Sequence, residues 1–211
     1  MEPKNKDARE KYDNTLKEFK EREFQKCLGY EDQRVNVNVD NIMVESSYDG
    51  PRLEKSTDEI DSDWVVKLMA HQKAQKNLHK KYVSMIIVKA RELLEKNPSM
   101  VDVTIPDDEE ITVCGDIHGQ YYDLLNIFEL NGIPSKKNPY VFNGDFIDRG
   151  SFSVEVIVTL LSWKICFPNH FFMSRGNHET KNLNKLYGFE GEVKHKYDQK
   201  TYELFNDLFQ Q

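Results

Sequence analysis

Three short polar clusters, each placed directly after an apolar run with strand character, constrain this chain more than any other feature. They are Gly115-Asp116-Ile117-His118-Gly119, Asn143-Gly144-Asp145-Phe146-Ile147-Asp148-Arg149-Gly150 and Arg175-Gly176-Asn177-His178-Glu179. The runs before them span residues 111–114, 140–142 and 170–173. Helical periodicity fills about 120–130 and 151–166 between them. This β-α-β-α-β order predicts an α/β fold with its active residues at the C-terminal ends of the strands.

Each cluster has chemistry of its own. Asp116 and His118 are two apart, so an extended backbone puts both side chains on one face. One carboxylate with one imidazole makes half of a site for a divalent transition metal. Asp145 follows its strand as Asp116 does, so neighbouring parallel strands bring the two carboxylates together, and a cation relieves their repulsion. Arg149 carries a planar fork that matches phosphate; an Asp148–Arg149 ion pair in a loop is the plainer alternative. In the third cluster Asn177 offers an amide oxygen to a metal, or simply caps a helix, and His178 offers an imidazole for proton transfer. Taken together, in order, and spaced 27 residues from His118 to Asp145 and 32 from Asp145 to Asn177, they are no accident.

These clusters, GDIHG, GDFIDRG and GNHE, resemble the signature set of the metal-dependent phosphoprotein phosphatases, a branch of the calcineurin-like metallophosphoesterases. The resemblance continues through residues 120–130, 149–155 and 187–194. Residues 1–30 resemble the end of a tetratricopeptide domain, and residues 48–53 the linker after it. The family implies a partial metallophosphoesterase fold here: the β-α-β-α-β half of a β-sandwich, flanked by helices and preceded by a helical segment. It implies two divalent metals of the Mn, Fe or Zn type, with Asp116, His118 and Asp145 on the first, and Asp145 and Asn177 on the second. It implies that His178, oriented by Asp148, gives a proton to the leaving group, and that Arg149 and Asn177 bind the phosphate. The expected reaction is hydrolysis of phosphoserine or phosphothreonine in a phosphoprotein by a water that the two metals activate.

The same resemblance implies an incomplete second metal site, because family members take two further His and an Arg from later in the chain. Here only His195 follows His178, in a charged stretch that reads as exposed, and no Arg follows Arg175. Tyr202, Phe205, Leu208 and Phe209 form an apolar stripe running to the end, so its cover is expected to be missing. The chain thus reads as truncated at both ends. Two other functions stay open: a non-catalytic product that binds one metal or a partner, and a phosphoesterase acting on small esters.

The rest of the sequence divides at about residues 30 and 61. Residues 6–28 carry one amphipathic stripe, residues 31–61 lose periodicity and read as a linker, and residues 62–211 read as the N-terminal half of the catalytic domain. Helices are expected over about 62–76, with Asp61 or Ser62 as cap, over 79–96, 180–187 and 195–211, and a further strand over 101–105. Cys114, Cys166, Trp64 and Trp163 read as core, and His71 and His79 as solvated.

The net charge of −7 argues against a nucleic-acid surface, and it concentrates in residues 101–150, which hold 10 acidic and 3 basic side chains. No apolar run reaches the ~20 residues of a membrane span. Three scattered Cys suit a reducing setting, cytoplasmic or nuclear. The expected partner is a phosphoprotein, with no nucleic acid and no membrane. Chaperone binding is not carried over, because most of a repeat domain is absent from the sequence.

Overall fold

The computed structural model describes residues 9, 11, 12, 14, 15, 34–53, 57, 60–105 and 110–211. These fall into two units, Met1–Arg34 and Val35–Gln211. In the first, residues 9, 11, 12, 14 and 15 are helical, and the Thr15 hydroxyl donates to Lys11 O at 2.8 Å. The remainder of the helix expected over 6–28 lies outside the described residues.

The second unit is built on one buried helix. Helices α1 (Ser62–Lys73) and α2 (Lys80–Leu94) come first. Strand β1 (Thr112–Cys114), helix α3 (Tyr121–Asn131), strand β2 (Tyr140–Phe142), helix α4 (Ser153–Cys166) and strand β3 (Phe171–Met173) then alternate. Helices α5 (Lys181–Tyr187), α6 (Phe189–Lys196) and α7 (Gln199–Leu208) close the chain. Every residue of α4 from Ser153 to Lys164 is buried, because α1, α2, α3, α6 and β3 all pack on it. A helix enclosed on all sides cannot satisfy its first N–H groups with water. Glu192 of α6 does so instead, accepting from Ser153 N at 3.1 Å and Val154 N at 2.8 Å.

The three strands form a parallel sheet in the order β1-β2-β3, with Thr112 beside Tyr140 beside Phe171. Tyr140, Phe142 and Phe171 are buried on one face, where Phe128 of α3 bridges to Trp163 of α4 by edge-to-face contacts. The other face carries Val113, Val141 and Phe172. Val113 is 69% exposed, and Val141 and Phe172 line an open hollow of about 490 Å³. No helix among the described residues is long and apolar enough to cross a membrane.

Most expected elements form close to their expected bounds, and Asp61 caps α1 by accepting from Trp64 N at 2.8 Å. Four expectations need correction. Residues 101–105 are exposed and form no ladder, so the alternation of Val101, Val103 and Ile105 marks an extended segment rather than a strand. The helix expected over 195–211 is two helices. Asp198 starts the second, accepting from Thr201 N at 2.9 Å and Thr201 Oγ1 at 2.8 Å, while the Tyr197 hydroxyl donates to Leu78 O at 2.8 Å. The stripe of Tyr202, Phe205, Leu208 and Phe209 is not bare: all four are buried, and α7 packs on α2 and α6 with Phe189 against Phe205 at 5.3 Å. The less covered apolar face is the outer face of the sheet. His71 and His79 are half-buried rather than solvated, flanking Tyr48 with ring centroids 5.9 and 5.5 Å away.

Candidate active site

Parallel strands point the same way, so the three clusters leave the sheet at one edge. Backbone hydrogen bonds then lock the loops together. The carbonyl of Asp145 accepts from Ile117 N at 3.1 Å and His118 N at 3.0 Å, and Gly150 N donates to His118 O at 2.9 Å. His118, Asp145, Asp148 and Arg149 all have positive φ, between 45° and 71°, a region that costs a non-glycine residue ~1–3 kcal/mol and persists only where surroundings enforce it. Among the described residues one other non-glycine, Gln75, shares that conformation.

Donor atoms of Asp116, His118 and Asp145 lie within 4.8 Å of one another, as the sequence spacing requires of a shared cation. The His118 ring fits that purpose. Its Nδ1 lies 2.9 Å from Ile147 O, which can only accept, so Nδ1 carries the hydrogen and Nε2 presents a lone pair. That Nε2 stands 3.7 Å from Asp116 Oδ2. The Asn177 amide lies 3.0 and 3.1 Å from the two carboxylate oxygens of Asp145. Its nitrogen, turned toward Asp145, donates to both; its oxygen, turned there, would share a cation with them. The donor set therefore fits hard or borderline divalent metals.

Beside these groups, His178 Nδ1 lies 2.8 Å from Asp148 Oδ2 and both side chains are buried. Asp148 is itself held. Its Oδ1 accepts from Phe189 N at 2.9 Å, and its N–H donates to Ser153 Oγ at 3.1 Å. The far nitrogen of His178, Nε2, accepts from the exposed Arg149 guanidinium at 3.3 Å. The His178 ring meets His118 edge-on at 4.7 Å, and Tyr187 packs on it at 5.1 Å. A buried acid–imidazole pair thus meets, at its second nitrogen, an exposed cation that matches phosphate.

All seven residues singled out in the sequence meet at this edge: Asp116, His118, Asp145, Asp148, Arg149, Asn177 and His178. His195 does not join them; it is exposed on α6, as its charged context predicts. Arg175 steadies its loop by donating to Glu179 O at 3.3–3.4 Å. Glu179 escaped the sequence reading. It is 1% exposed, and its carboxylate accepts from Asp145 N, Phe146 N and Gly176 N. Burial pushes its carboxyl above the usual range, against the pull of those three donors. The available signal was an acidic side chain directly after His178 in a cluster whose other members have roles or contexts of their own.

Residues 110–211 match the family model described as calcineurin-like phosphoesterase, and residues 12–102 match a PPP5 TPR repeat region. The chain carries a calcineurin-like metallophosphoesterase domain over residues 110–211. Its relatives include serine/threonine-protein phosphatase 5 of Homo sapiens, 47% identical over 214 residues, which cover 100% of this chain and 42% of that protein. The Arabidopsis thaliana serine/threonine-protein phosphatase 5 is 53% identical over 79% of this chain and 30% of its own length. Serine/threonine-protein phosphatase T of Trypanosoma brucei brucei is 43% identical over 99% of this chain and 44% of its own. Among solved structures, a protein serine/threonine phosphatase from Saccharomyces cerevisiae, described as similar to human phosphatase PP5, superposes with a TM-score of 0.67. It is 46% identical, covering 70% of this chain and 48% of that one. The chain spans less than half the length of these curated relatives.

Proposed function

We propose that this chain carries the metal- and proton-transfer half of a protein serine/threonine phosphatase, acting on phosphoserine or phosphothreonine in a phosphoprotein. The single observation that carries this reading is the His178–Asp148 pair, held at Nδ1 by Asp148 and at Nε2 by the exposed Arg149, set beside the Asp116, His118 and Asp145 donors. Asp116, His118 and Asp145 would hold one divalent metal, and Asp145 with Asn177 would give a second its first two donors. Such metals, when bound, supply Lewis-acid polarisation of the phosphate and an acidified water.

The chain's own groups do the rest. Arg149 is exposed and presents two parallel N–H donors, so an incoming phosphate replaces His178 Nε2 as its acceptor. His178, released by Arg149, takes a proton from solvent water on Nε2 while Asp148 holds Nδ1–H, and it donates that proton to the departing serine or threonine oxygen. An alkoxide is a poor leaving group, so this donation is worth ~10²–10⁴-fold. Asn177, whose amide stands against the Asp145 carboxylate, would orient the phosphate.

We further propose a division at residues 1–30, 31–61 and 62–211: repeat-domain helix, linker and phosphatase half. Residues 35–211 pack as one unit, so the linker from Val35 onward belongs to the same compact unit as residues 62–211. Phosphate release from phosphoserine and phosphothreonine peptides, with Mn²⁺ and against a panel of small phosphate esters, tests the function. Peptides turned over in preference to small esters are the expected result; preference for small esters would overturn the substrate class.

A further inference from the structure

Glu179 turns its buried carboxyl group to backbone N–H donors. Its Oε1 accepts from Phe146 N at 2.8 Å, and its Oε2 accepts from Asp145 N and Gly176 N, both at 2.9 Å. These donors belong to two different loops, after β2 and after β3. Asp145 is the residue on which both candidate metal positions depend, and its backbone stands at φ +53°, where an L side chain is strained. That strain is enforced from two sides. Its carbonyl is taken by Ile117 N and His118 N of the first loop. Its N–H, with the next one along, is taken by Glu179. The outcome is seen in its side chain, where Oδ1 accepts from His178 N at 3.0 Å and both oxygens face the Asn177 amide.

We propose that Glu179 is a positioning residue for the metal donors: its buried carboxylate clasps the second and third loops and so aims the Asp145 carboxylate at both Asp116–His118 and Asn177. This rests on the assignment of Asp116, His118 and Asp145 as metal donors. Among the described residues the acceptor for the Asp145 N–H is Glu179, on the far side of the third loop. A side chain that merely filled space there would need no charge. Charged acceptors strengthen N–H hydrogen bonds, and a single carboxylate serves three at once.

The test is direct Mn²⁺ binding to the 211-residue chain by equilibrium dialysis, at a temperature where circular dichroism shows each variant fully folded. Glu179→Gln keeps the shape but points an N–H₂ at N–H donors, and it should weaken Mn²⁺ affinity 10–100-fold. Glu179→Asp keeps the charge, loses one methylene of reach, and should weaken it by a smaller factor. His118→Ala serves as the reference for a lost donor. Mn²⁺ affinity within twofold of the parent in the Glu179→Gln variant, with His118→Ala weakened, would overturn the positioning role and leave the donor assignment standing. A His118→Ala variant that binds Mn²⁺ like the parent would overturn both. Loss of folding in both Glu179 variants would assign the residue to stability of the whole unit, and overturn the proposal too.

Discussion

Gly176 approaches Asp145 so closely that a Cβ added to it would lie 2.2 Å from Asp145 Oδ1 and 2.3 Å from Asp145 N. Both contacts are too short for any real Cβ, and one of them is to backbone. Gly176→Ala should therefore push the second and third loops apart and weaken Mn²⁺ binding at least about tenfold. Gly115, in the first cluster, has open space where its Cβ would go. Gly115→Ala should bind Mn²⁺ like the parent. Equilibrium dialysis of the two variants side by side decides the matter, and equal affinities would refute it.

The buried Asp148–His178 pair gives a kinetic expectation that follows from the proposed phosphatase reaction. Asp148→Asn retains size but no longer favours a hydrogen on Nδ1 and a charge on the ring. Turnover of a phosphoserine peptide should fall ~10²–10⁴-fold with KM little changed, because the proton is given only in the transition state. A change confined to KM would place Asp148 in substrate binding instead.

Arg91 of α2 and Asp207 of α7 form a buried ion pair, each residue 8% exposed. The same two side chains hold the backbone of Val35, whose N–H donates to Asp207 at 3.3 Å and whose carbonyl accepts from Arg91 at 3.4 Å. Arg91→Met strands a buried carboxylate and should cost about 3–5 kcal/mol in urea unfolding. Adding Asp207→Leu should restore most of that loss. Equal losses in the single and double variants would show that the charge pairing is not the cause.

Lys164 is buried, donating to Pro168 O at 2.8 Å and Phe171 O at 2.9 Å with no carboxylate beside it among the contacts described, and burial lowers its pKa from 10.5 to about 8. Between those values the unfolded chain binds more protons than the folded one, so stability rises with pH across that window. Below about pH 8 the folded state carries the full cost of a buried charge. Relative to Lys164→Met, the parent should gain about 1–2 kcal/mol between pH 7.5 and 10, allowing for screening near the mouth of the hollow. Urea midpoints at three pH values measure it; parallel trends in the two proteins would contradict it.

Local chemistry was legible wherever a signal lay within a few residues. The β-α-β-α-β order, the strand over 140–142 and the cap at Asp61 each rest on neighbours in the chain. The cap at Asp198 was just as local, with Thr201 three residues on, but the apolar stripe of 202–209 masked it by continuing a helical period across the break. The strand expected over 101–105 failed for a different reason. Alternation describes a face, and a strand also needs a partner.

The sequence by itself determined which residues stand at the site, because three motifs at strand ends leave parallel strands no other place to put them. Only the tertiary structure decided how those residues are held. Glu179 finds its three N–H donors on Asp145, Phe146 and Gly176, two of them more than thirty residues away, and Glu192 caps α4 from nearly forty. The terminal stripe finds its cover in α2, over a hundred residues earlier. Hydrogen bonds and burial act between atoms that meet in space, and no period in the sequence encodes a meeting across that distance.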